Sequence, residues 1–77
     1  MTSTTLDLRQ HQCPMSLLLM KRAVVKLADT QRLTIYVSDA ASVHDMIRFL
    51  DLHPYSYGVD QQKTHTVITV ERLSTHV

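Results

Sequence analysis

The feature that most constrains the fold is the alternation of two hydrophobic periodicities along a chain of 77 residues. Apolar side chains at every second position indicate a strand with one buried face, and spacings of three and four indicate an amphipathic helix. The predicted order is strand, helix, strand, helix, strand, strand. The strands are predicted at 6–9, 32–38, 55–60 and 64–73, the first helix at 14–28, and the second between residue 39 or 42 and Pro54.

The helical periodicity also predicts which side chains form the core. The simplest packing for two helices with one apolar stripe each is a two-layer α/β sandwich, with both helices on one face of a four-stranded mixed sheet. A chain of this length fits a single domain, here residues 1–77. The predicted stripes are Leu17, Met20, Val24 and Leu27 in the first helix, Val43, Met46, Ile47 and Leu50 in the second, and Leu33, Ile35 and Val37 in the second strand.

Local signals refine this scheme at three points. Pro14 is expected at the first helical position, where a missing N–H costs nothing. The second helix has two candidate N-caps, Asp39 and Ser42, and Ser42 with Asp45 resembles a capping box. Gly58 lies inside a predicted strand, where glycine suggests a bulge or a close approach of another backbone.

Composition excludes several classes of function. Eight Lys and Arg against seven Asp and Glu give a net charge of +1, which does not favour nucleic acid as a partner, because phosphate binding needs a clustered basic face. A single glycine argues against phosphate-binding loops. No apolar stretch reaches the length of a membrane span, and residues 1–5 do not resemble a signal peptide. We therefore expect a cytoplasmic protein with no membrane partner.

Cys13 is the only cysteine, and it falls where a strand ends and a helix begins. With Pro14 as the first helical residue, Cys13 is the N-cap, and its sulfur faces the amides of Met15 and Ser16 and the positive end of the helix dipole. Both favour a thiolate, the species that attacks sulfur donors. The alternative, equally weighted on spacing alone, is a buried cysteine that acts as a small hydrophobic residue.

Two of the residues that precede the helix, His11 and Arg9, are candidates for tuning the pKa of this thiol. His11 is two positions from Cys13 and can activate a thiol, and Arg9 ends the first predicted strand at the same edge of the sheet. One histidine and one cysteine are too few for a zinc site, so no metal is expected. The alternative for both residues is a solvated or purely structural role.

Three further charged residues are candidates for docking a partner protein. Lys21 and Arg22 lie about two turns into the first helix, roughly 12 Å from its start, too far to stabilise the sulfur directly. Asp39 ends the second strand at the same rim as Cys13. The alternatives are a solvated helix face for Lys21 and Arg22, and helix capping for Asp39.

Together these residues resemble the TusA/SirA-like sulfur-carrier family, whose typical pattern is L-D-x-R-G-x-x-C-P-x-P-x-L-x-x-K-K. The resemblance covers residues 6–72 and implies a fold like the C-terminal domain of translation initiation factor three. It also implies a persulfide on Cys13, received from a donor such as a cysteine desulfurase or a rhodanese-like enzyme and passed to an acceptor protein, without a cofactor. The matching residues are Leu6-Asp7-Leu8-Arg9, Cys13-Pro14, Leu17-Leu18, Lys21-Arg22, Ser38-Asp39, Asp45-Met46 and Phe49.

Three positions depart from the family pattern. Gln10 replaces its glycine, Ser16 its second proline, and Ala40 the proline that follows Asp39. Because Ser16 has an N–H and a hydroxyl that proline lacks, we expect more hydrogen-bond donors at the sulfur.

A sulfurtransferase or sulfur carrier is therefore the predicted function. A non-catalytic interaction or redox-regulatory domain of the same fold is the alternative, and RNA binding is a weaker third. The sequence does not specify the oligomeric state.

Overall fold

The computed structural model of the protein describes residues 2–12, 14–28, 31–53 and 55–72. The order of its elements is the predicted one, βαβαββ. The predicted α/β class is therefore confirmed, although several element boundaries differ. The elements are β1 (Thr2–Asp7), α1 (Met15–Val24), β2 (Gln31–Val37), α2 (Ala40–Asp51), β3 (Tyr55–Gln61) and β4 (Thr66–Arg72).

The four strands form one mixed sheet in the order β1-β2-β4-β3. β1 and β2 are parallel, whereas β4 is antiparallel to both β2 and β3. Parallel partners end at the same rim of a sheet, and Asp7 pairs with Tyr36 at this rim. The loop after β1 and the loop after β2 therefore leave the sheet side by side, and each leads into a helix.

The hydrophobic core lies between the sheet and the two helices, which confirms the predicted two-layer sandwich. Leu33, Ile35 and Val37 of β2 are almost completely buried, as predicted. Full burial of such a side chain contributes roughly 1.5–3 kcal/mol. The helix stripes are narrower than predicted, because Leu17, Val43 and Ile47 are only partly buried. The fully buried core comprises Leu8, Met20, Val24, Leu27, Leu33, Ile35, Val37, Met46, Leu50, Ile68 and Val70.

β1 begins at Thr2 and ends at Asp7, whereas the prediction placed it at 6–9. Its first half is polar and pairs with β2 from Thr2↔Gln31 onwards. Backbone pairing of an edge strand needs no apolar alternation, and threonine favours extended backbone. The predicted boundaries were therefore wrong because hydrophobic periodicity does not detect this half of the strand.

α1 ends at Val24, earlier than the predicted end at residue 28. The amides of Lys26 and Leu27 donate to carbonyls three residues back, the tighter pattern of a 3₁₀ turn. Leu27 still reaches the core from this turn. The hydroxyl of Tyr55 donates to the Val24 carbonyl at 3.3 Å, and Arg72 Nη1 donates to the Leu27 carbonyl at 2.9 Å. The sheet thus supplies further hydrogen-bond donors to carbonyls at the end of α1 and in the turn that follows it.

α2 begins at Ala40 with Asp39 as its N-cap, the earlier of the two predicted starts. Ser42 lies in the first turn, is fully buried, and donates its hydroxyl proton to Asp39 Oδ2 at 2.7 Å. The capping box predicted for Ser42 and Asp45 was wrong, because that motif requires the serine at the N-cap.

β3 continues through Gly58 without a bulge. Its register with β4 is unbroken from Tyr55↔Arg72 to Gln61↔Thr66. A Cβ atom added to Gly58 would meet nothing within 4 Å, so no other backbone approaches it closely. Both predictions for Gly58 were wrong, since the residue is an exposed position in an edge strand.

Candidate functional site

Cys13, the predicted centre of the site, lies outside the described residues, so the site is defined by the residues that flank it. On its N-terminal side, the buried Leu8 donates its N–H to the Tyr36 carbonyl at 2.7 Å, which extends the pairing of β1 with β2 by one residue. The N–H of His11 then donates to the Leu8 carbonyl at 3.0 Å. The chain thus leaves the sheet through a tight turn anchored by Leu8.

On the C-terminal side, Pro14 is the N-cap of α1 rather than its predicted first helical residue. Its φ and ψ are −92° and −4°, and its carbonyl accepts the N–H of Leu18 at 3.1 Å. The carbonyl of an N-cap residue accepts the first bond of the helix, and proline suits this position because it has no N–H to satisfy. The N-cap position predicted for Cys13 therefore shifts to Pro14, and Met15 is the first helical residue.

Ser16 was expected to bring additional donors to the sulfur, and this stays a prediction, because both of its donors are bonded to other residues. Its N–H donates to the Gln12 carbonyl at 3.1 Å. Its side chain is fully buried, and its hydroxyl is hydrogen-bonded to the hydroxyl of Ser42 in α2. Both donors of Ser16 therefore already have acceptors in the fold.

Arg9 is paired with Asp7 beside the end of β1. Its Nε and Nη2 donate to the two carboxylate oxygens of Asp7 at 2.9 and 2.8 Å, and its guanidinium carbon lies 5.5 Å from the centre of the Tyr36 ring. The side-chain hydrogen bonds, followed by the Arg9 backbone N–H and its charge, lower the pKa of Asp7 to about 2. The same contacts raise the pKa of Arg9. The charge predicted to tune Cys13 is thus largely balanced by Asp7.

His11 is exposed in the turn that precedes position 13. Its backbone N–H is fixed by Leu8, whereas its ring is open to solvent. Its tuning of Cys13 stays a prediction.

An exposed stripe runs along the outer face of α1 and the turn that follows it. Met15, Leu18 and Val25 are large apolar side chains that are 50%, 51% and 61% exposed. Arg22 and Lys26 are exposed on the same side, since residues three, four and seven positions apart share a helix face. We call these five residues the docking stripe. It begins two residues after Cys13 and combines apolar and cationic side chains.

Lys21, predicted to act with Arg22, occupies a different environment. It is partly buried, and its Nζ lies 5.2 Å from the centre of the Phe49 ring in α2. The Phe49 ring in turn stacks on His53 with 4.1 Å between ring centres. A cation over an aromatic face is attracted to it, so Lys21 links the two helices. Its role in docking stays a prediction.

A groove of about 530 Å³ borders the docking stripe, between α1 and the part of the sheet formed by β1 and β2. Arg22 and Lys26 contribute its cationic rim. Neither residue forms an ion pair within the described part of the chain. The apolar floor of the groove consists of Leu19, Ala23, Leu27 and Leu33.

Asp39 lies at the rim of the sheet that also carries the loop after β1, as predicted. It is partly buried, and its carboxylate accepts the hydroxyl proton of Ser42. Its predicted role in docking stays a prediction, while its position as the N-cap of α2 is established.

The buried pair of Ser16 and Ser42 was missed from the sequence, although a signal was present. Ser16 precedes the buried Met20 and Val24 at four-residue spacing, and Ser42 precedes the buried Met46 and Leu50 in the same way. A serine in register with a buried stripe needs a polar partner. The spacing could therefore have predicted that each of the two serines needs a polar partner, although it does not identify that partner.

Among residues 2–12, 14–28, 31–53 and 55–72, no group of three or more His, Cys, Asp or Glu side chains is placed to hold a metal ion. The same residues include no helix that is long and apolar enough to cross a membrane.

The fold and the residues that flank Cys13 define a class of protein, a small α/β sandwich whose single cysteine directly precedes the N-cap of its first helix. The family model described as sulfurtransferase TusA matches residues 4–72. This match spans nearly the whole chain, so the protein belongs to the TusA sulfurtransferase family, as its sequence motif suggested. It is thereby placed among sulfur carriers and sulfurtransferases, which work in sulfur relay with partner proteins. Searches of curated proteins and of solved structures found no significant match.

Proposed function

We propose that this protein accepts sulfur as a persulfide on Cys13 and relays it to an acceptor protein. The observation that carries the proposal is the match to the TusA family over residues 4–72, with Cys13-Pro14 retained where β1 leads into α1. The donor is a protein that presents a persulfide, such as a cysteine desulfurase or a rhodanese-like enzyme.

Each transfer is an exchange between a thiolate and a persulfide. The Cys13 thiolate attacks the outer sulfur of the donor persulfide, the donor S–S bond breaks, and the donor thiolate leaves. A thiolate on the acceptor then attacks the outer sulfur on Cys13, and Cys13 leaves as a thiolate. One S–S bond forms for each that breaks, so neither step requires an oxidant or a reductant.

The start of α1 suits an anionic sulfur. An α-helix carries about half a positive charge at its N-terminus, which favours anions there. No acidic residue lies in the first turn of α1 or elsewhere in the helix, so nothing within the helix opposes this field. Because the Ser16 N–H is bonded to the Gln12 carbonyl, the Met15 N–H and the helix dipole stabilise the thiolate.

The docking stripe suits a protein partner. Exposed apolar side chains that form a patch mark interaction sites more often than scattered ones do. Arg22 and Lys26 add positive charge beside Leu18 and Val25, so the partner surface that fits this stripe is apolar with an acidic rim. Because the stripe starts two residues after Cys13, such a partner would hold its own reactive sulfur close to this thiol.

Intact-protein mass spectrometry after incubation of the reduced protein with a persulfide donor tests the function, with Cys13→Ser as the matched control. We expect a donor-dependent gain of one sulfur atom that a reducing agent reverses and that the variant lacks. An unchanged mass with several donors, while Cys13 still reacts with an alkylating reagent, would contradict the proposal. The alternative of an interaction or redox-regulatory domain would then lead.

A further inference from the structure

We propose that Ser42 and Asp39 are positioning residues for Cys13, which act through Ser16 to hold the first turn of α1 in place. This inference rests on the proposed function of Cys13. Its basis is the chain of hydrogen bonds that joins Ser16 in α1, Ser42 in α2 and Asp39 at the N-cap of α2.

The direction of these bonds follows from their chemistry. A carboxylate only accepts hydrogen bonds, so the Ser42 hydroxyl donates its single proton to Asp39 Oδ2 over 2.7 Å. The Ser42 oxygen must then accept the proton of the Ser16 hydroxyl. Ser16 is therefore the first donor in this chain of hydrogen bonds, and Asp39 is its final acceptor.

Burial makes each of these bonds consequential. Both serine side chains are 0% exposed, and they are the only polar residues in the described part of the chain that are fully buried. A buried hydroxyl without a partner loses its bonds to water and gains nothing in return. Ser16 therefore requires Ser42 as its acceptor, while the Ser42 proton is held by Asp39, and the first turns of α1 and α2 are fixed relative to each other.

The backbone transmits this constraint to the residues on either side of Cys13. The Ser16 N–H donates to the carbonyl of Gln12, and the Leu18 N–H donates to that of Pro14. The residue before Cys13 and the residue after it are thus both hydrogen-bonded to the first turn of α1. A shift of Ser16 would therefore move both residues that flank Cys13.

Loss of Ser42 should produce such a shift. Without its acceptor, the buried Ser16 hydroxyl can donate instead to the carbonyl four residues earlier, a bond that serine side chains form within helices and that bends them. That carbonyl belongs to Gln12 and already accepts the Ser16 N–H. The two donors would compete at the residue next to Cys13, and the first turn of α1 would lose its fixed position relative to Gln12.

The test is the pKa of the Cys13 thiol, measured from the pH dependence of its alkylation rate in the full chain. Ser42→Ala and Ser16→Ala both remove the bond that ties the first turn of α1 to α2. In each variant we expect the pKa to rise by about half a unit, so that alkylation near neutral pH slows about threefold, because only the thiolate reacts. The double variant should shift no further than the larger single one, because both changes break the same chain.

Two matched variants separate positioning from other effects. Val70→Ala truncates a fully buried side chain in β4 and lowers stability without touching the chain of bonds, so the thiol pKa should stay unchanged. Asp39→Asn keeps an acceptor for Ser42 but removes the charge, so it should not reproduce the rise, whereas Asp39→Ala should. Equal shifts in Val70→Ala and Ser42→Ala, or no shift in either serine variant, would overturn the inference.

Failure of the inference and failure of the proposed function give different results. Wild-type protein that gains a sulfur atom on Cys13 while Ser42→Ala keeps the wild-type pKa refutes positioning and leaves sulfur carriage intact. Wild-type protein that gains no sulfur refutes carriage, whatever the pKa values of the variants. A raised pKa in both serine variants, with Val70→Ala unchanged, supports positioning by Ser42.

Discussion

Substitution of Gly58 should stabilise the protein, although most substitutions destabilise. Gly58 lies in β3 opposite Thr69, and a Cβ atom there meets nothing within 4 Å. Glycine inside a strand costs roughly 0.5–1 kcal/mol relative to alanine, because the unfolded chain has more conformations to lose. Gly58→Ala should therefore raise the free energy of unfolding by about that amount.

Gly58→Thr should stabilise further. Threonine favours extended backbone, and a cross-strand pair with Thr69 adds roughly 0.2–1 kcal/mol. The combined gain of about 1–2 kcal/mol corresponds to a rise in Tm of roughly 4–16 °C for a domain of this size. Ser56→Thr is the control. Ser56 also lies exposed in β3 but already has a Cβ atom, so this change should give only the smaller gain in stability that comes from a β-branched side chain.

The assay is urea unfolding followed by circular dichroism, with Tm from thermal melts. β3 is an edge strand, and edge strands are prone to pair with other chains, so the curves must agree at two protein concentrations. Alkylation of Cys13 should be unchanged, since β3 and β1 are opposite edges of the sheet. A decrease in stability for Gly58→Ala would refute the reasoning and reinstate a bulge or a close contact at Gly58.

Two further predictions concern charged side chains. Arg22→Glu should slow sulfur transfer with a protein donor, most strongly at low salt, while Lys63→Glu in the exposed turn before β4 should not; equal rates for the two variants would contradict docking through Arg22. Because Arg9 lowers the pKa of Asp7 from 3.8 to about 2, Asp7 contributes stability that is fully present above about pH 4 and is lost as the pH falls through about 2. In urea unfolding, Asp7→Asn should therefore lose less stability than wild-type protein as the pH falls across this range. A carboxyl titration midpoint near 4 for Asp7 in wild-type protein would contradict its pairing with Arg9.

The faces of the central elements could be predicted from the sequence because burial imposes a period. In β2, Leu33, Ile35 and Val37 alternate without interruption, since one face of the strand lies against both helices. Met46 and Leu50 in α2 were predicted for the same reason. Where a side chain must be apolar to be buried, its spacing records the geometry of the element.

Boundaries and polar contacts could not be predicted in this way. Leu27 continues the helical spacing of α1, yet it enters the core from a turn after the helix, because spacing does not record where backbone bonding changes. The bond between Ser16 and Ser42 joins residues 26 positions apart, and a serine in an apolar stripe does not identify its partner. The pairing of Arg9 with Asp7 depends on side-chain geometry at the end of β1.

Two of the three departures of this chain from the family pattern have a common physical meaning in the fold. Ser16 and Ala40 replace two prolines of that pattern, and they lie in the first turns of α1 and α2. Proline in a first turn favours the helix by restricting the unfolded chain, and neither serine nor alanine does so. Here the two helix starts are instead linked to each other, because Ser16 bonds to Ser42 and Ser42 to Asp39. In the family pattern, each proline would restrict its own helix start. In this protein the order of both helix starts depends instead on contact between the helices, and the loop that includes Cys13 becomes sensitive to residues in α2.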